Sequence, residues 1–146
     1  MLRSLAQVGA IPTPLLSVMN EDGTPGLEAA RRQLASALGV PTVGQEDARV
    51  LRETGLLVMR RSARLAAAGV CAVLRRMGRD APDSPPSLVA IDGGLYRGSG
   101  LYRQWMREAV AEVLGSDAAA LKVQLELVED GSGVGAAITA ALASSR

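Results

Sequence analysis

The sequence predicts an α/β fold in which helices surround a small partial sheet. Two short segments with strand character, Leu88–Ile91 and Leu121–Val128, alternate with longer segments of helical periodicity. Each strand segment ends in a glycine-rich turn that a helical segment follows, an order typical of parallel strands joined by crossover helices. Leu88–Ile91 is apolar at every position, which predicts a strand that is buried on both faces.

The composition of the chain limits the classes of function. The 146 residues include 16 Lys and Arg against 15 Asp and Glu, and this near balance indicates no general attraction to nucleic acid. Histidine is absent, which excludes catalysis by a Ser–His or Cys–His pair. No apolar stretch approaches the roughly 20 residues that a membrane span needs. We therefore expect no nucleic-acid partner and no membrane span.

The single cysteine, Cys71, lies in the apolar run AAAGVCAVL. One cysteine cannot form an internal disulfide, and a reactive thiol would need a cationic and partly exposed setting. We therefore expect an inert core thiol and a cytoplasmic chain.

Residues 1–24 contain several prolines and glycines and are predicted to be mostly irregular. Within them Thr13, followed by a proline, is a helix-start signal, and a short helix through Leu15–Asn20 is expected. Thr24 repeats the signal and predicts a longer helix over about Gly26–Leu38, which the following glycine and proline end.

A long helical pattern runs from Glu46 to about Met77 and is expected to end at a glycine. Its first half places Leu51, Val58 and Leu65 on one face. A glycine in its middle, Gly69, indicates close packing, because a mid-helix glycine costs roughly 1 kcal/mol against alanine. The packing partner is either the central strand or a bound nucleotide.

A proline-rich surface loop, Asp80–Ser87, leads into the first strand. After the first glycine turn, residues 98–100 are expected to be flexible, and Leu101–Leu114 to form an amphipathic helix with its inner stripe at Tyr102, Trp105, Ala109 and Val113. The second strand alternates apolar and polar residues, which places it near the edge of the sheet. Because no third strand is evident, we expect at least one unpaired edge. A short apolar helix to about Ala143 closes the chain.

Both glycine turns would lie at the same end of the sheet if the strands are parallel. Gly131, Gly133 and Ala136 match a G-x-G-x-x-A dinucleotide pattern, but no strand with an acidic residue follows, so that interpretation is rejected. No Walker-type G-x-x-x-x-G-K-[ST] motif occurs. What remains is two turns whose backbone N–H groups can approach a ligand closely.

Several segments of the sequence resemble those of a known family. LVAIDGGLY, followed some distance later by EDGSGVGAA, resembles the adenosine motif and the closing motif of the hexokinases. The resemblance extends to TPLLSVMNED, LGVPT and SARLAAAGVCAVLRRMGRD, with the glycine pair closest to plant-type enzymes. It covers Ala10–Ala143. It implies that residues 1–146 are the C-terminal segment of a hexokinase large domain, the second half of a ribonuclease-H-like, actin-like ATPase fold.

The resemblance also implies an ATP site, with Mg²⁺ carried by ATP and no catalytic or metal-ligating residue in this segment. In the family, segments equivalent to Thr13–Ser17 and Gly94–Gly98 hold adenosine and phosphates, and the DGSGVG turn borders the adenine pocket. Gly94 stands where animal enzymes have a threonine. The implied nucleotide-binding residues are Thr13, Ser17, Gly93, Gly94, Leu95, Tyr96, Gly131, Ser132 and Gly133.

The family's sugar-binding loops, its catalytic aspartate and two of its phosphate-binding turns precede this segment, and none of their motifs occurs here. Asp92 and Asp130 correspond to turn-shaping positions. The expected function is therefore the ATP-side portion of a glycolytic hexokinase, which phosphorylates a hexose such as glucose at the 6-hydroxyl. The chain alone is expected to be inactive, and to meet a hexose only if the upstream half is supplied. The alternative is a non-catalytic remnant that binds nucleotide or a partner, with association through the exposed sheet edge.

Overall fold

Helices alternate with two short strands over the residues that the computed structural model describes, which are 9–81, 83–115 and 122–144. In chain order the elements are α1 (Thr13–Glu21), α2 (Glu28–Leu38), α3 (Gln45–Arg76), β1 (Ser87–Ile91), α4 (Gly94–Gly98), α5 (Gly100–Leu114), β2 (Val123–Leu127) and α6 (Gly131–Ser144). The chain divides into two compact units, Met1–Ser62 and Ala63–Arg146, so that α3 contributes residues to both.

In the first unit, α1 begins at the predicted cap residue, which is one residue earlier than expected. Pro12 occupies the N-cap position and Thr13 is already helical, with no side-chain hydrogen bond at this end of the helix. The helix continues to Glu21, so the predicted short helix is confirmed and is longer than expected. Its inner face packs against α2 and the start of α3 in a cluster of buried residues formed by Leu15, Met19, Leu27, Ala30, Leu34, Val43 and Ala48.

The Asp22 carboxylate organises the start of α2. It accepts hydrogen bonds from the Thr24 hydroxyl (2.6 Å), the Thr24 N–H (3.0 Å) and the Ala30 N–H (2.9 Å). The Thr24 hydroxyl in turn accepts the Glu28 N–H at 3.0 Å. Thr24 therefore marks the helix start as predicted, although α2 itself begins at Glu28, after Leu27 adopts a left-handed backbone with φ 52°. The start was predicted two residues too early because the turn between Thr24 and α2 is not helical.

These hydrogen bonds, led by the one from the Thr24 hydroxyl, lower the pKa of Asp22 from 3.8 to about 2. A carboxyl group whose pKa is lower in the folded state stabilises the fold above its unfolded pKa. Asp22→Asn is therefore expected to lower the melting temperature at pH 5 and above. The difference from the unsubstituted chain should disappear as the pH falls from about 4 to about 2. Thermal unfolding followed by circular dichroism across this range checks it, and a pH-independent difference would contradict it.

The long helix α3 is confirmed over Gln45–Arg76, but its buried face differs from the prediction. Val58 and Leu65, predicted to share an inner face, are 58% and 62% exposed. The buried positions recur at helical spacing and consist mainly of small side chains, namely Ala48, Gly55, Met59, Ala63, Ala67, Cys71 and Leu74. Small residues let a helix approach its neighbours closely, and here that stripe is buried in preference to the larger apolar side chains.

Cys71 lies on the buried stripe of α3 with 1% of its surface exposed. The predicted core position is therefore confirmed, and burial raises the pKa of the Cys71 thiol. Gly69, two residues away, does not show the predicted close packing, because a Cβ added there would meet nothing within 4 Å. The glycine faces an open groove of the second unit.

In the second unit, β1 and β2 pair in parallel, with Ser87 opposite Val123 and Ile91 opposite Leu127. The pairing begins with the Ser87 N–H donating to the Lys122 carbonyl at 2.8 Å. It ends with the Val128 N–H donating to the Ile91 carbonyl at 3.0 Å. The predicted parallel arrangement is therefore confirmed, and both glycine turns follow the same end of the sheet. The predicted start of the second strand, Leu121, lies outside the described residues.

The prediction that Leu88–Ile91 is buried on both faces is wrong for this structure. Leu88 is 63% exposed and Ala90 is exposed, whereas the alternate residues Ser87, Val89 and Ile91 are half-buried. No described element covers the face that carries Leu88 and Ala90. The expected unpaired edge is confirmed among the described residues, since the sheet has two strands in the order β1–β2.

The predicted flexibility of residues 98–100 is also wrong. Ser99 is 2% exposed, and its hydroxyl accepts the Tyr102 N–H at 3.2 Å, which caps α5 directly after α4 ends. The α5 helix runs to Leu114 as predicted and ends at Gly115 with φ 70°. Its buried stripe consists of Tyr102, Met106, Ala109 and Val110. Trp105 and Val113, predicted for that stripe, are half-buried.

Candidate functional site

The two glycine turns lie against one another at the carboxyl end of the sheet. A Cβ added to Gly131 would lie 3.7 Å from the Cβ of Asp92, so the turn after β2 is in van der Waals reach of the turn after β1. In open α/β sheets ligands bind beyond the carboxyl ends of the strands. The position of the two turns is therefore that of a ligand site.

In the first turn, neither the backbone conformation nor the packing at Gly93 and Gly94 requires a glycine. Gly93 has φ 170°, an extended conformation open to any residue, and Gly94 is the first residue of α4. A Cβ added at either position would meet nothing within 4 Å. The space beside the main chain is therefore open at both residues, and a side chain at either one would fill part of it.

In the second turn, the glycines are explained by their neighbours. Asp130 adopts a left-handed backbone with φ 51°, and its carbonyl accepts the Val134 N–H at 2.9 Å at the start of α6. A Cβ on Gly133 would lie 2.5 Å from Asp130 Oδ1, and a Cβ on Gly131 would lie 3.0 Å from Val128 Cγ2. Side chains of the same turn therefore lie close to both glycines, and exposed Ser132 lies between them.

Asp92 is engaged within the first turn. Its Oδ1 lies 3.7 Å from Nη2 of Arg97, and both side chains are partly exposed. Nη1 of Arg103 donates to the Tyr96 carbonyl at 2.7 Å and to the Arg97 carbonyl at 2.9 Å, which fixes the end of α4. These arginines were missed by the sequence analysis, although the five-residue spacing of Asp92 and Arg97 around the glycine pair could have indicated the ion pair.

The other sequence-predicted site residues are placed differently. Tyr96 is 3% exposed, and its hydroxyl donates to the Leu125 carbonyl at 3.0 Å, so its side chain fixes α4 to β2. Leu95 is half-buried, and a ligand at the turn would meet the main chain of these two residues. Thr13 and Ser17 lie on α1 of the first unit, where Thr13 is exposed and Ser17 is half-buried.

Two other classes of site, a metal cluster and a membrane-spanning helix, are absent from the part of the chain that the structure describes. No group of three or more His, Cys, Asp and Glu side chains is arranged to hold a metal ion there. None of the described helices combines the length and the apolar character needed to cross a bilayer.

Known proteins share both the sequence pattern and the backbone. The hexokinase family model matches residues 1–142. Hexokinase-3 of Oryza sativa subsp. japonica is 40% identical over 97% of this chain and 30% of its own length. Hexokinase-7 of the same organism is 44% identical over 88% of this chain and 28% of its own length. A crystal structure of a hexokinase matches with a TM-score of 0.71 and 27% identity, over 88% of this chain and 28% of that one.

The chain therefore spans less than a third of the length of these relatives. The structural match confirms the predicted fold class, an α/β arrangement with helices around a small parallel sheet, as in the second half of an actin-like ATPase domain. The family model covers nearly the whole length of the chain, and so does the relative that is 40% identical. The chain therefore belongs to the hexokinase family.

Proposed function

We propose that this chain is the ATP-side portion of a hexokinase, an enzyme that transfers the γ-phosphoryl group of ATP to the 6-hydroxyl of a hexose such as glucose. The observation that carries the proposal is the open main chain at Gly93 and Gly94, beside a second glycine turn at the carboxyl end of a parallel sheet. Family membership supports ATP as the ligand, with Mg²⁺ bound to its phosphates. Mg²⁺ would neutralise charge that develops on the phosphates during transfer.

The residues of the two turns fit a nucleotide chemically. Gly93, Gly94 and the main chain of Leu95 and Tyr96 can lie flat against adenosine or phosphate, because no side chain of the two glycines intervenes. Ser132 offers a hydroxyl at the neighbouring turn. Arg97, 49% exposed at its side chain, offers a guanidinium to phosphate oxygens beside its contact with Asp92.

Within the first unit, taken by itself, Thr13 and Ser17 are proposed as nucleotide-binding residues because of the resemblance of their segment to the family. Both are placed on α1, and the start of that helix has no side-chain cap of its own. Contacts to the sugar and the catalytic base are assigned to parts of the enzyme that this chain does not span. The activity is proposed to be cytoplasmic and glycolytic.

A second candidate is a non-catalytic remnant that binds nucleotide or a partner. One observation favours it: the carboxylate nearest the glycine pair, Asp92, already faces Arg97. This contact joins two side chains of the same turn, which fits a role of Asp92 in shaping that turn. The two candidates differ in whether a complete enzyme built with this segment turns over.

Nucleotide binding at the turns is tested by titrating ATP and Mg²⁺ into chain labelled with ¹⁵N at its 16 glycines. The amide signals of Gly93, Gly94, Gly131 and Gly133 are expected to shift and to saturate, with a dissociation constant near 1 mM, about −4 kcal/mol. Gly78, which follows α3, and Gly115, which ends α5, belong to the same unit but to neither turn, and they serve as internal controls. Shifts that do not saturate, or that are equally large at the control glycines, would contradict the proposal.

A further inference from the structure

The sequence contains three Asp–Gly pairs, Asp22–Gly23, Asp92–Gly93 and Asp130–Gly131. In such a pair the backbone nitrogen of the glycine can attack the carboxyl carbon of the aspartate, and a molecule of water leaves as a succinimide ring closes. Water then opens the ring at either carbonyl and gives aspartate or isoaspartate. Glycine favours this reaction because it has no side chain that shields its backbone nitrogen. All three pairs share this chemistry, so their surroundings decide how fast each one reacts.

The Asp22 carboxylate is restrained by its hydrogen bonds. Its Oδ1 accepts from the hydroxyl and the N–H of Thr24, and its Oδ2 accepts from the Ala30 N–H at 2.9 Å. Asp22 is also only 7% exposed. Ring closure needs the protonated carboxyl group, because an ionised oxygen is a poor leaving group. The pKa of Asp22, lowered to about 2, reduces the protonated fraction near neutral pH by more than about tenfold.

The Asp130 carboxylate has none of these restraints. Among the described residues it accepts no hydrogen bond and forms no ion pair. The nucleophile is also unengaged within the helix, because the Gly131 N–H is the first of α6 and has no intrahelical acceptor. Of the three aspartates only Asp130 has a left-handed backbone, with φ 51°, which residues with a Cβ rarely adopt. An isoaspartyl link adds a CH₂ group to the main chain and releases it from that conformation.

Asp92 lies between these two cases. Its Oδ1 is 3.7 Å from Nη2 of Arg97, and its side chain is 32% exposed, so one loose contact restrains it. The contacts that distinguish Asp22 from Asp92 all join residues no more than eight positions apart. The order of the three pairs therefore follows from the local chain around each one.

We propose that Asp130–Gly131 is a site of spontaneous isoaspartate formation in the folded chain, that Asp92–Gly93 reacts more slowly, and that Asp22–Gly23 is protected. The water lost on ring closure returns on ring opening, so the reaction moves one bond without a net change in atoms. In the product the main chain runs through Cβ and Cγ of Asp130. The carbonyl that accepts the Val134 N–H at 2.9 Å becomes a free carboxylate. The second glycine turn is thereby altered whether or not a nucleotide binds there.

Uptake of ¹⁸O from H₂¹⁸O measures ring opening at each pair, because the water that opens a succinimide leaves one labelled oxygen in either product. The three pairs lie in three different tryptic peptides, so mass spectrometry separates them after a single incubation. In the folded chain near neutral pH, uptake at Asp130 is expected to exceed uptake at Asp22 by more than about tenfold, with Asp92 between them. In guanidinium chloride, which removes the contacts, the three rates should be similar. A changed chromatographic retention of the labelled Asp130 peptide identifies isoaspartate.

Two variants test the assignment and its cause. Asp130→Glu keeps the negative charge but must close a larger ring, which is far slower, so the uptake in peptide 123–146 should be lost. Thr24→Val removes the hydroxyl that donates to Asp22 and should raise uptake at Asp22 severalfold, while uptake at Asp130 stays unchanged. Uptake at Asp22 as fast as at Asp130 in the folded chain, or uptake in peptide 123–146 that survives Asp130→Glu, would overturn the proposal.

Discussion

The purified chain is expected to transfer no phosphoryl group from ATP to glucose above the uncatalysed rate. Phosphoryl transfer needs the sugar hydroxyl, a base or positioning residue, Mg²⁺ and the phosphate contacts in place together. Among the residues of the two turns, the one carboxylate beside the open glycines, Asp92, faces Arg97. General-base catalysis contributes about 10²–10⁴-fold and charge stabilisation about 10²–10³-fold, but only when groups reach the reacting atoms. We therefore expect a loss of at least about 10⁴-fold against a complete enzyme.

A coupled assay for glucose 6-phosphate measures this directly on the purified chain. Asp92→Asn is the informative variant, because it removes the negative charge and keeps the shape of the side chain. It should leave the background rate unchanged. Turnover that Asp92→Asn abolishes would show a working base in the turn and would contradict the expected inactivity.

Gly94→Val is expected to raise the KM for ATP by about tenfold or more in an active enzyme that contains this segment. Such an enzyme, called the graft below, is rice Hexokinase-3 with its matching region replaced by residues 9–144 of this chain. The valine side chain would fill the space in front of the main chain, where a nucleotide would lie. It would not meet the fold itself, since a Cβ at Gly94 has no neighbour within 4 Å. Initial rates at varied ATP and at varied glucose separate the two substrates.

Gly100→Val is the matched control for Gly94→Val. Gly100 is also exposed and also the first residue of a helix, and a Cβ there would make one ordinary contact, 3.9 Å from Nη2 of Arg103. Both substitutions therefore change helix propensity by a similar amount. A difference between their KM values for ATP then shows whether the nucleotide uses the space in front of the first turn. The KM for glucose should change by less than about twofold in both variants, because the sugar contacts are assigned elsewhere. Equal rises in both KM values for Gly94→Val would mean that the turn is only structural.

The arrangement of the candidate site could be predicted from the sequence because local signals determine it. Continuous apolar character followed by Asp92 and two glycines predicts a strand that ends in a turn. The second strand is predicted by alternating apolar and polar residues that lead to Asp130 and Gly131. Parallel pairing then places both turns at one end of the sheet, as the structure shows. The nucleotide itself follows from the resemblance to hexokinases and not from these local signals.

Burial could not be predicted in the same way, because it depends on which neighbours are present. Leu88 has the character of a core residue, yet no described element covers it. Val58 and Leu65 fit a helical stripe, but the stripe of small residues allows closer approach and is buried instead. The buried cap at Ser99 depends on α4, a five-residue helix that the glycine-rich sequence does not indicate. Helical periodicity identifies the apolar faces of a helix, but it does not determine which of these faces a neighbouring element will cover.

The most direct test of the central proposal is the coupled glucose 6-phosphate assay on the graft beside the isolated chain. If this segment is the ATP-side portion of a hexokinase, the graft phosphorylates glucose with saturable dependence on ATP, and the isolated chain does not. The contradicting result is a graft that folds and binds glucose but shows no ATP-dependent turnover. That result would identify the segment as a non-catalytic relative of the hexokinases.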